Sequence, residues 1–118
     1  MKLHVVRNQN QGRMGKVSFE LKVRTELTPE ENALVKKYRA HKEVLFLKEG
    51  GSVGKFLVGK NLSMQKVTIQ NLISGMTFKG DNIATILGYE EMIKETCQVF
   101  KTYLDTMRSF GGEEVFEF

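Results

Sequence analysis

From Lys16 to Leu27 the sequence KVSFELKVRTEL alternates between apolar and polar positions. Val17, Phe19, Leu21 and Val23 fall on one side, and Lys16, Ser18, Glu20, Lys22 and Arg24 on the other. A period of two predicts a strand with one dry face and one wet face. The short β-type run LHVVR precedes it, and NQNQGRMG, rich in turn formers, lies between the two. The pair predicts an antiparallel hairpin with a rather long loop.

The period then changes. In LTPEENALVKKYRAHK, Thr28 is placed to cap a helix, Pro29 suits its first position and Glu31 completes a capping box. Leu34, Val35 and Tyr38 form a narrow apolar stripe, so the helix is short. EVLFL has the length of a strand, KEGGSVGK reads as a loop, and KFLVG and MQKVTIQ read as further strands. IQNLISG predicts one helical turn stopped by Gly75, and MTFK a brief extended piece.

The strongest pattern follows. After Asp81 or Asn82 as a cap, Ile86, Tyr89, Ile93, Cys97, Phe100, Leu104 and Met107 fall within a stripe about 80° wide at 100° per residue. Met92, Val99, Tyr103 and Phe110 make a second row beside it, and Glu91, Glu95 and Thr102 occupy the opposite, wet face. Gly88 lies off the stripe and is a candidate bend or break. Together the two rows span about 160°, wider than one core contact needs. The second row therefore predicts either a subunit interface or a surface covered by loops of the same chain. The ending GGEEVFEF stops the helix, and Val115, Phe116 and Phe118 predict a terminal strand on the sheet edge or on a neighbouring subunit.

Length and composition narrow the class. A chain of 118 residues with 41% hydrophobic and 27% charged residues is expected to form one domain, residues 1–118, with a core that needs no disulfide or metal. Cys97 is the single cysteine, which points to a reducing compartment. The start MKLHVVRNQNQ lacks the apolar run of a signal peptide. These features predict a cytoplasmic protein. The net charge of +4 is concentrated in residues 1–27, where Lys2, Arg7, Arg13, Lys16, Lys22 and Arg24 stand against Glu20 and Glu26. An anionic partner is expected to approach there.

Catalytic chemistry finds little support in these residues. Cys97 sits at the centre of an apolar stripe, mid-helix, with none of the base or helix-start surroundings that activate a thiol; it reads as core. His4 and His41 have no companions at metal-ligand spacing, so neither a metal nor a cofactor is expected. Gly54 to Asn61, GKFLVGKN, approaches a phosphate loop, but Asn61 replaces the hydroxyl residue and strand-like sequence follows where a helix should begin. The pairs Glu30/Glu31, Glu90/Glu91 and Glu113/Glu114 are adjacent in sequence, so their side chains diverge. Glu90 lies at the edge of the apolar stripe, where a salt bridge is expected rather than a catalytic acid.

The basic hairpin is the most credible binding surface: Lys16, Lys22 and Arg24 share the wet face of one strand, and Arg7 and Arg13 lie near the turn. The aromatic Phe19 is on the dry face, and Glu20 interrupts the basic row. A solvated sheet face and an anion site both fit this pattern.

VRTELTPEENALVKKY and the stretch from VTIQNLISG to the end resemble a group of small bacterial proteins of unknown role. The shared positions are Leu72 to Gly75, Asp81, Glu90, Cys97, Tyr103-Leu104, Phe110-Gly111 and Glu114-Val115. The resemblance implies a bacterial, cytoplasmic α+β protein and brings no activity or binding residue with it.

The expected fold is α+β: a mostly antiparallel sheet of about four to six strands, one short helix, and a long C-terminal helix packed on one face. The expected function is a non-enzymatic interaction or oligomerisation module, its partner being a second copy in a homodimer or another protein and not a membrane. Interface candidates are Met92, Val99, Tyr103, Phe110, Phe116 and Phe118. The alternative is a module binding nucleic acid or a nucleotide through Arg7, Arg13, Lys16, Lys22 and Arg24.

Overall fold

A computed structural model describes residues 1–45 and 67–118. Strands β1 (Lys2–Gln11) and β2 (Val17–Glu26) form the hairpin, followed by helix α1 (Pro29–Lys37) and a short strand β3 (Val44–Leu45). After the undescribed segment come β4 (Val67–Thr68), α2 (Ile69–Ser74), β5 (Met76–Gly80) and the long helix α3 (Ile83–Ser109). The expected phosphate-loop-like stretch and the KFLVG strand lie outside the described residues. The described strands are all antiparallel, in one sheet of order β1-β2-β5 and a second of β3 and β4, so the fold is α+β.

The hairpin is longer than its apolar pattern implies. NQNQ reads as turn, yet Asn8 to Gln11 continue β1 and pair with Glu20 to Val17. Pairing satisfies the backbone of these residues, which outweighs their weak strand preference. The turn itself is short, with Met14 at φ 63° and Gly15 at φ 72°. Because partners across an antiparallel pair share a face, the alternation on β2 dictates that on β1. Leu3, Val5 and Arg7 join Thr25, Val23 and Leu21 on the inner face, and His4 and Val6 join Arg24 and Lys22 outside.

The helix starts are set by their caps. Thr28 accepts from the Glu31 amide while the Glu31 carboxylate accepts from the Thr28 amide, the expected capping box. Asn82 caps α3 by accepting from Thr85 N–H at 2.8 Å. Helix α3 then runs unbroken for 27 residues, about 40 Å. Gly88 makes no break in it: the helix continues through this buried position.

Every member of the expected stripe, Ile86, Tyr89, Ile93, Cys97, Phe100, Leu104 and Met107, is buried. They close over Leu21 and Val23 of β2 and Phe78 of β5, with Val35, Leu45, Val67, Ile69 and Leu72 completing the core. Phe78 and Tyr89 stack with centroids 4.5 Å apart, fixing the helix to β5. At the far end, Arg108 Nε donates to Glu30 and Nη1 to Asp105, tying the last turn of α3 to the start of α1.

Met92 of the second row is also in this core, 1% exposed, so the chain's own fold covers it and it is withdrawn from any interface. Tyr103 is half-buried, while Val99 and Phe110 are exposed. The terminal strand expected from Val115, Phe116 and Phe118 does not form within the chain. Gly111 at φ 142° and Gly112 at φ 82° take the backbone out of the helical path. The last residues then run irregularly, leaving a hollow of about 610 Å³ between Gly111–Glu114 and the face of α3 that carries Thr102, Asp105 and Thr106.

Candidate functional site

The expected basic site divides into three places. Lys22 and Arg24 stay together on the outer face of the sheet, where alternation puts them. His4 faces Arg24 across the pair, and Thr77 faces Lys22 from β5. These residues, with Val6, Ser74 and Gly75, border a shallow hollow of about 390 Å³. Carboxylates temper its charge. His4 Nε2 lies 3.0 Å from Glu26 Oε2, and Lys22 Nζ is 3.6 Å from Glu20. The hydrogen bond from His4 holds the Glu26 carboxyl below its ordinary pKa.

Arg13 lies in the turn, and Lys16 directly precedes β2. From Lys16 to Lys22 the strand rises by about 20 Å, so the tip and the hollow are separate surfaces.

Arg7 does not share the face of Lys22 and Arg24. The register that pairs it with Leu21 turns it inward, toward α3. Its Nε donates to Glu90 Oε1 at 2.6 Å, with the Arg7 side chain 61% exposed and that of Glu90 5% exposed. Lys94 Nζ stands 3.4 Å from the other Glu90 oxygen, one helical turn on. The Arg7 hydrogen bond is the largest influence on Glu90 and holds its carboxyl below the ordinary range, against the burial that pulls it upward. Glu90 is thus a paired anion at neutral pH, as its place at the edge of the apolar stripe implied.

Cys97 is buried, and desolvation pushes its thiol up to about 11. A thiol held so firmly protonated is a poor nucleophile. Among the described residues, no group of three or more His, Cys, Asp or Glu is placed to hold a metal ion. None of the described helices is long and apolar enough to cross a membrane.

Two apolar features remain on the surface. One is a cleft of about 260 Å³ at the start of α3, between Ile83, Ile86 and Leu87 and the hairpin residues Arg7, Gln9 and Phe19. Ile83 is 60% and Leu87 40% exposed there. The other is the segment after α3, in which Phe110, Val115 and Phe116 are 79%, 75% and 68% exposed and Phe118 is fully so.

Compared with protein-family models, with curated proteins and with solved structures, the chain has no match in any of the three.

Sequence reasoning missed the cleft and the contribution of His4 and Thr77 to the outer hollow. The cleft arises where the hairpin meets α3, and the outer hollow depends on strand register, which brings distant residues side by side. For the hollow, the nearest available signal is the alternation on β2, which orients its partner strand once the pairing is known.

Proposed function

We propose that the protein is a non-enzymatic interaction module that associates with further copies of itself, in a cytoplasmic setting that keeps its lone thiol reduced. The observation that carries this reading is the exposed apolar segment from Phe110 to Phe118. Isolated exposed apolar side chains are common, but a cluster including three phenylalanines and a valine in one short stretch marks a contact surface. Covering each of these side chains is worth about 1.5–3 kcal/mol, against the cost of ordering the segment. The buried, protonated Cys97 and the paired Glu90 favour this reading over a catalytic one.

Light scattering on the full chain and on a chain ending at Gly112 tests the proposal. The full chain is expected above its monomer mass of 13.5 kDa and the shortened chain at its own monomer mass. Equal association of both would remove the segment from the interface.

A second reading rests on the outer hollow, where Lys22, Arg24 and Thr77 offer hydrogen-bond donors to an anion such as a nucleotide or a nucleic-acid phosphate. Replacing Lys22→Glu together with Arg24→Glu is expected to abolish binding of single-stranded nucleic acid while leaving the far-ultraviolet circular dichroism unchanged. Affinity that stays flat as salt rises would argue against an electrostatic site.

A further inference from the structure

The self-association proposed above needs a surface to receive the exposed segment, and the start of α3 has the matching form. The cleft between Phe19, Ile83 and Leu87 is about 260 Å³, below the range of roughly 300–1,000 Å³ typical of small-molecule pockets. It suits a single inserted side chain better than a free ligand.

One wall of the cleft is Arg7 to Gln9 of β1, which among the described residues is an edge strand with β2 as its one neighbour in the sheet order. Register along β1 is continuous from Lys2 opposite Glu26 to Gln11 opposite Val17, without a bulge, and the strand contains no proline. Such an edge is open to addition of another strand. In an extended VFEF segment, Phe116 and Phe118 share one face and Val115 and Glu117 the other. Charge agrees as well: Glu113, Glu114 and Glu117 lie on the segment, and Arg7, Arg13 and Lys16 lie along or beyond the cleft. Glu20, also at the cleft, is 3.6 Å from Lys22.

Reach decides whose segment this is. Leu87 and Ser109 are separated by about 33 Å along α3. Phe116 lies seven residues beyond Ser109, at most about 25 Å of extended chain. Phe116 therefore falls short of the cleft of its own chain. We propose that the cleft receives the C-terminal segment of a second copy, which adds as a strand along the outer edge of β1 and places the Phe116 ring between Phe19 and Leu87. This assignment rests on the self-association reading and names its receiving surface.

Two measurements test it. Leu87→Glu places a charge in the cleft at a position already partly open to solvent, and Phe116→Ser removes the ring without touching the core. Each is expected to weaken self-association by about tenfold or more, as loss of a central anchor does. Circular dichroism and urea unfolding would establish that both variants are folded. In the second measurement, chains carrying Gln9→Cys are mixed with chains carrying Phe116→Cys and oxidised, with Cys97 shielded in the core. A disulfide-linked pair containing one chain of each kind is the expected product, since the bond requires close approach of the two backbones. Association of the wild type that survives Leu87→Glu and yields no mixed disulfide would overturn the receiving surface and leave self-association standing. A wild-type chain that stays monomeric at every attainable concentration would overturn both.

Discussion

Arg7 and Glu90, 83 positions apart, meet at 2.6 Å across the dry face of the first hairpin. The contact joins the first strand to the last helix. It also resolves two groups that sequence alone leaves open: a basic residue assigned to a binding site and an acidic residue at the edge of a core stripe.

The pair predicts a specific response to acid. Hydrogen bonding and charge hold the Glu90 carboxyl below its ordinary value of 4.5, so its ionised form favours the folded state. That stabilisation is present above the unfolded value and fades as pH falls through the lower folded one. Arg7→Gln is expected to be less stable than wild type at pH 7, and the gap is expected to close as pH falls below the lowered folded value, where Glu90 is protonated in both. Urea unfolding at a series of pH values measures this; a gap independent of pH would show that Arg7 does not act through the carboxylate.

Cys97 should be silent in the native protein. Its thiol is pushed up to about 11 and is buried, so a thiol-specific reagent at pH 8 is expected to label the chain only after denaturation. Cys97→Ser, which buries a hydroxyl in apolar surroundings, should cost about 1–3 kcal/mol.

Adjacent residues of α3 offer a check on helix orientation. Phe100 is wholly buried, whereas Val99 beside it is exposed. Phe100→Ala is expected to lose about 3–5 kcal/mol, and Val99→Ala to stay within about 0.5 kcal/mol in the monomer. Denaturant titration of both variants would reverse this order if the helix were rotated by a quarter turn.

Thr25 carries a buried hydroxyl with no hydrogen-bond partner among the described residues. Thr25→Val keeps the volume and removes the orphan oxygen, so it is expected to raise stability by about 1 kcal/mol. A loss of similar size on thermal and urea unfolding would mean that the hydroxyl has a partner in solution.

Much of the architecture was legible where a pattern repeats. The alternation from Val17 to Val23 orients β2, the stripe from Ile86 to Met107 orients α3, and Thr28 to Glu31 announces a helix start by chemistry that operates within four residues. Asn8 to Gln11 were misread because their local preference for turns yields to pairing with a distant strand. Arg7 was misplaced because LHVVR has no alternation of its own; its face is inherited from β2. For Met92, in the second row, the sequence leaves an interface and cover by the same chain both open, because angle around a helix does not reveal how broadly neighbouring elements cover it. The cleft beside Phe19 and Leu87 had no signal at all, since it exists only where two separate elements converge.

The cover of β1 and β2 comes from the last third of the chain, and this has a consequence for biogenesis. As the polypeptide leaves the ribosome, Val5, Leu21 and Val23 emerge well ahead of Phe78, Ile93 and Phe100, which shield them. Vectorial synthesis thus leaves a sticky β-ribbon waiting in the open, since contacts of such long sequence separation cannot form early. Nascent chains stalled before α3 should be ready clients for holdase chaperones, and release from that custody should await the final helix.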